Sequence, residues 1–199
     1  MKNKLIILIL ILFGTEINAQ SNELSSLKQK WFFGLEFGTN RIISFQGEPR
    51  TESFQIGLLT EYYLSNQWII TGRVKYFKTG LSFKNNKNRF EGKVISIPIN
   101  FKWEFKIFNN LKGNLNFGLA LNQEVERKYS YPNTDFSSLF TNFNTGIGFS
   151  YFISKRMAVY TNIEVYLWGN DRDNNDFITI VPNSTDNRLF NLGIKYNFK

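Results

Sequence analysis

The chain has 199 residues, a formal charge of +8 and 21 Phe among 17% aromatic residues, and it contains neither Cys nor His. Those absences exclude disulfide staples, thiol chemistry and thiolate metal sites, and they remove the usual base of serine hydrolases and the commonest metal ligand. The length fits one domain, and a mean hydropathy of −0.27 beside so many aromatics means that apolar and polar residues are interleaved along the chain.

The first stretch, MKNKLIILILILFGTEINAQ, has a basic start (Lys2, Lys4), an apolar run from Leu5 to Phe13, and Ala19 before Gln20. It reads as a cleaved secretory signal over 1–19, because nine apolar residues fall short of the roughly 20 that span a bilayer. Gln20 follows and the chain has no Cys, so a lipid-modified N-terminus is excluded. Residues 20–30, ending in SNELSSLKQK, show no period and are expected to form a periplasmic tail.

From residue 31 onward period-2 alternation dominates, in eight segments near 31–40, 53–64, 67–78, 93–105, 112–123, 139–152, 157–168 and 188–198. One set in each is bulky and apolar: Phe54, Ile56, Leu58; then Ile95, Ile97, Ile99, Phe101, Trp103; then Leu115, Phe117, Leu119, Leu121. The opposite set is small or polar, as in Asn114, Asn116, Gly118, Ala120, Asn122 and in Asn142, Asn144, Gly146, Gly148, Ser150.

The joins alternate too. Those at 65–66, 107–111 and 153–156 are short, and those at about 41–52, 79–92, 124–138 and 169–187 are long. An even strand number with short turns at one end and long loops at the other predicts an all-β, eight-stranded antiparallel up-and-down transmembrane barrel over 31–199, with periplasmic turns and extracellular loops. Aromatics such as Trp31, Phe33, Tyr62, Trp68, Trp103, Phe105, Tyr196 and Phe198 crowd the expected periplasmic ends. So do Lys28, Lys30, Lys106, Lys112, Lys155, Arg156 and Lys199, which suit an anionic leaflet. A soluble lipocalin-like ligand binder also alternates, but its water-facing set would be dominated by Lys, Glu and Asp. Here that set is Gly, Asn, Ser and Ala, which fit a crowded interior.

ISIPINFKWEF (95–105), NTGIGFSYFISKRMAVYTNIEVYLW (144–168) and LFNLGIKYNFK (189–199) together resemble the PorT-like and OmpA-like eight-stranded outer-membrane barrels over nearly the whole mature chain. The shared features are an apolar strand with an internal Pro, a Gly-rich sixth strand running through a basic turn, and a last strand ending in aromatics. The resemblance implies an exported integral barrel of the bacterial outer membrane, and in its PorT-like form an accessory role in protein secretion.

Charged residues on the small, polar face are balanced: Glu36, Glu61, Glu104 and Glu164 against Arg73, Lys75, Lys102 and Lys195. An eight-stranded lumen is filled by its own side chains, so these eight are expected to form a structural charge network, with an ion path and a carboxylate catalytic pair as the competing readings. Between the third and fourth segments, KTGLSFKNNKNRFEGK carries Lys78, Lys84, Lys87, Arg89 and Lys93, which could hold lipopolysaccharide phosphates or be a solvated basic loop. DRDNND (171–176) begins like a calcium loop but has Asp176 where Gly is needed and Pro182 where the last Glu should fall, so no metal site is expected.

No catalytic residue and no cofactor are expected. The expected partners are outer-membrane lipid and lipopolysaccharide, with protein partners at the long loops or the periplasmic rim, no nucleic acid, and a monomeric barrel. The expected function is a structural or surface-interaction barrel without catalysis; the alternatives are the secretion accessory role and a small transport or lipid-binding barrel.

Overall fold

The computed structural model describes residues 26–43, 52–82, 89–129, 139–169 and 186–198. Eight strands run in chain order: β1 (Trp31–Ile43), β2 (Glu52–Tyr63), β3 (Trp68–Ser82), β4 (Arg89–Lys106), β5 (Leu111–Tyr129), β6 (Leu139–Phe152), β7 (Met157–Gly169) and β8 (Asp186–Tyr196). Each pairs antiparallel with its neighbours in sequence, and β8 pairs with β1, so the sheet is a closed barrel without an edge. The expected signal over 1–19 and the 171–176 segment lie outside the described residues.

The alternation decides which way each strand faces. Leu35, Phe37, Ile56, Leu58, Ile99, Leu119, Ile147, Ile163 and Leu192 point outward and are exposed, whereas Glu36, Gln55, Asn100, Asn144 and Asn191 point inward and are buried. This inverts a soluble fold: the polar set fills the middle and the apolar set is presented to the surroundings.

Strands β3, β4 and β5 extend beyond the sequence pattern. The β3–β4 ladder continues through Lys78↔Lys93 to Ser82↔Arg89, and β4–β5 continues to Phe90↔Tyr129 across a bulge at Lys93/Val94. The charged, Gly- and Asn-containing run 78–93 therefore belongs mostly to a paired hairpin, with only 83–88 outside the described strands. Between Gly72↔Ile99 and Lys75↔Ser96 the β3–β4 pairing is interrupted, where Pro98 has no N–H to donate.

The three short connections, 64–67, 107–110 and 153–156, share one backbone pattern. Leu64 and Ser65 donate to the Trp68 carbonyl, Ile107 and Phe108 to Leu111, and Ile153 and Ser154 to Met157. In two of them the second residue is Ser: Ser65 Oγ accepts from the Gln67 and Trp68 amides, and Ser154 Oγ from those of Arg156 and Met157. The other turn has Phe108 in that place, which cannot cap the turn and is 69% exposed.

Residues 26–30, expected within a periplasmic tail, dock on the turn end of the barrel. Gln29, at φ 62°, donates its amide to the Tyr63 carbonyl at 2.7 Å, and the Leu27 amide reaches Asn66 Oδ1 at 2.9 Å. Leu27 is 1% exposed and packs with Phe32, Tyr63, Ile69, Phe152 and Ala158 into an apolar seal below the barrel interior.

Candidate functional site

All eight charged residues expected on the polar face are buried in the lumen, and the structure brings them together in two clusters. Nearer the turn end, Lys102 Nζ lies 2.7 Å from Glu61 and 2.9 Å from Glu104, and Lys195 Nζ lies 2.7 Å from Glu61 and 3.4 Å from Glu104. Tyr63 donates its hydroxyl to Glu104 at 3.0 Å. Lys195 also sits 5.3 Å from the Phe152 ring centre and 5.6 Å from that of Phe32, so its charge is held between carboxylates and aromatic faces.

Midway along the barrel, Arg73 and Lys75, inward neighbours on β3, meet Glu36 on β1 and Glu164 on β7. Lys75 Nζ is 3.3 Å and Arg73 Nε 3.5 Å from Glu36, and both cations also pair closely with Glu164. Asn162 Nδ2 donates to Glu164 at 2.8 Å and the Tyr160 hydroxyl to Glu36 at 2.9 Å. Buried ions need such partners, since one left alone costs several kcal/mol.

Glycine makes room for this cluster. Glu36 pairs in register with Gly57 on β2 and Gly193 on β8, and Tyr160 lies directly opposite Gly193. A Cβ on Gly193 would stand 2.5 Å from Tyr160 Cζ, and one on Gly57 3.0 Å from the Glu36 side chain. The ring and the carboxylate occupy the volume that side chains there would take.

A third layer lies toward the loop end, where Phe77 meets Tyr166 edge-on at 6.4 Å among Val94, Ala120 and Leu189, and Ser96 Oγ is 3.3 Å from the Tyr166 hydroxyl. Strands four apart in an eight-stranded barrel face each other across its diameter. Lys195 to Glu104 bridges β8 and β4, Lys75 and Arg73 to Glu164 bridge β3 and β7, and Phe77 to Tyr166 bridges β3 and β7 again. Side chains thus cross the lumen at three successive heights.

Lys112, expected with the basic residues of the periplasmic rim that suit an anionic leaflet, turns inward at that end. It is buried, sits 3.3 Å from Glu104 and lies 5.2 Å from the Phe152 ring centre, inside the mouth. Its phase was legible, because it shares parity with inward Asn114 and Asn116. Of the five basic residues in the run 78–93, Lys78 on β3 faces outward, Lys93 on β4 pairs with Glu126, and Arg89 ends the β4 ladder. Lys84 and Lys87 lie outside the described residues.

An apolar outer wall around a polar, side-chain-filled interior, closed without a free edge, defines a transmembrane β-barrel. The sequence model of the outer membrane protein beta-barrel domain matches residues 7–198, and the chain belongs to that family. Its fold is similar to that of Neisserial surface protein A, at 15% identity and a TM-score of 0.58 over 84% of this chain and 97% of that one. It is similar also to Ail, the attachment invasion locus protein of Yersinia pestis, at 12% identity and a TM-score of 0.54 over 86% and 99% of the two chains. OprG of Pseudomonas aeruginosa gives 12% identity and a TM-score of 0.55 over 86% and 97%. No curated protein matches the chain. The protein is therefore an integral β-barrel of the bacterial outer membrane; the matches define the broad family and do not carry the PorT-like label.

Proposed function

We propose that this barrel works through its surface: its interior is a structural plug, it performs no catalysis, and its long joins meet surface ligands or partner proteins outside the cell. The observation that carries this reading is the set of three cross-lumen contacts, two ionic and one aromatic, which fill the interior with the barrel's own side chains. Glu36, Glu61, Glu104 and Glu164 are each held by Lys or Arg, which leaves none of these four poised as a proton-transfer group, and the sequence has no His or Cys to substitute. Closure of the sheet leaves no strand edge to recruit a second copy, in keeping with a monomer.

Photo-crosslinking in intact cells tests the reading. The probe is placed once in each long join and once in each short turn, and captured proteins are identified by mass spectrometry. Capture from the long joins supports surface contact. Capture confined to the short turns would overturn it in favour of an accessory role in secretion at the periplasmic face.

A further inference from the structure

Where the apolar belt stops at the loop end, the outward basic side chains among the described residues lie on β8, β1, β3 and β4. Above Phe37 on β1 and Phe190 on β8 the next outward positions but one and one are Arg41 and Arg188, directly opposed in the β1–β8 register. Arg41 Nε has Glu52 at 3.5 Å, and Arg188 has no ion pair among the described residues. Two strands further on, outward Lys78 faces Lys93 in the β3–β4 register; Lys93 pairs with Glu126, and Lys78 has no ion pair among the described residues. At the same end of β6 and β7 the outward residues are Leu139, Thr141, Val165 and Leu167, without a charge.

Like charges set opposite each other across two strands destabilise a sheet unless an anion lies between them. Here two such pairs flank β2, and each leaves one cation over. Arg41 and Arg188 are one cross-strand spacing apart, about 5 Å, which suits two guanidinium forks on one phosphate. Immediately below them are exposed Phe37, Phe54 and Phe190, a surface for acyl chains rather than for a soluble anion.

We propose that the arc β8–β1–β2–β3–β4 is a binding site for a phosphorylated, multiply acylated glycolipid of the outer leaflet. One phosphate is held by Arg41 and Arg188 and a second by Lys78 with Lys93, while the acyl chains lie on the phenylalanines beneath. The site extends the basic segment between β3 and β4 to two arginines outside it. It goes beyond the loop-contact reading and stands whether or not the long joins bind a partner.

The test uses the full mature barrel purified in detergent, with bis-phosphorylated lipid A, its dephosphorylated form and inorganic phosphate as probes, read by native mass spectrometry of retained ligand and by thermal shift. Three forms are compared: unmodified, Arg41→Gln/Arg188→Gln, and a control with Lys155→Gln/Arg156→Gln at the opposite end. Heat-modifiable gel migration shows that each is folded. Retention of lipid A by the unmodified and control forms, a drop of about tenfold in the arginine pair variant, as expected for losing a charge-assisted phosphate clamp, and no shift with dephosphorylated lipid or inorganic phosphate support the site. Equal retention by the arginine variant, an equal loss in the control, or an equal response to inorganic phosphate would each overturn it.

Discussion

Replacing Glu164 by Gln keeps the side chain's size and removes one charge from the middle of the lumen, so the consequence can be worked from its partners. Glu164 is 0% exposed and pairs with Arg73 and Lys75, which then have only Glu36 between them. Breaking a buried ion pair by removing one partner costs about 3–5 kcal/mol, because the other charge is left uncompensated in a medium that solvates it poorly. Adding Lys75→Met to Glu164→Gln restores the balance, with Arg73 facing Glu36, and fills the Lys75 stem volume with an apolar chain. The double variant is expected to recover most of the loss, which a double-mutant cycle measures as a coupling of the same order. The assay is reversible urea unfolding of the barrel in lipid vesicles, followed by tryptophan fluorescence and gel migration. A Glu164→Gln barrel as stable as the unmodified one, or a double variant weaker than either single, would show that the cross-lumen pair is not what holds the interior.

Other substitutions separate the faces and ends of the barrel. Ile99→Arg and Leu119→Arg, at positions 60% and 59% exposed on the outer wall, should each destabilise the inserted barrel by about 2–4 kcal/mol near the bilayer midplane, measured by the same unfolding in vesicles. Phe108→Ser restores the capping side chain that the other two turns use, and should leave stability unchanged or raise it by about 0.5–1.5 kcal/mol in urea unfolding. Asn86→Cys, Asn133→Cys and Asn174→Cys, in the long joins, should react with an impermeant maleimide on whole cells, while Asn109→Cys and Lys155→Cys in the short turns should not; equal labelling at all five would reverse the orientation.

The strand phases were legible because each lumen residue alternates with a lipid-facing one: Glu36 lies between Leu35 and Phe37, and Glu164 between Ile163 and Val165. That rule brought the eight charged residues to one interior without saying which would meet. Partnership depends on shear and register, which place Lys195 of β8 against Glu104 of β4, and on glycines such as Gly193 that let Tyr160 reach Glu36. Two features were hidden by composition. The run 78–93 is charged and rich in Asn and Gly, as loops are, yet its ends pair as strand because the hairpin continues beyond the apolar belt. SNELSSLKQK has no period, and among its described residues the docking side chains are Leu27, in the apolar cluster, and Ser26, whose hydroxyl donates to Asn66 Oδ1. Lys112 was misplaced by composition overriding parity, since a lysine near a strand end reads as rim even when its phase points inward.

The filled lumen is tested most directly by single-channel recording from the purified barrel in planar bilayers, at neutral pH and high salt. Three layers of side chains crossing an eight-stranded interior predict no stable unitary conductance, with Arg73→Ala lowering stability against denaturant without opening a path. Reproducible, ion-selective steps from the unmodified protein would contradict the plug and make transport the barrel's function.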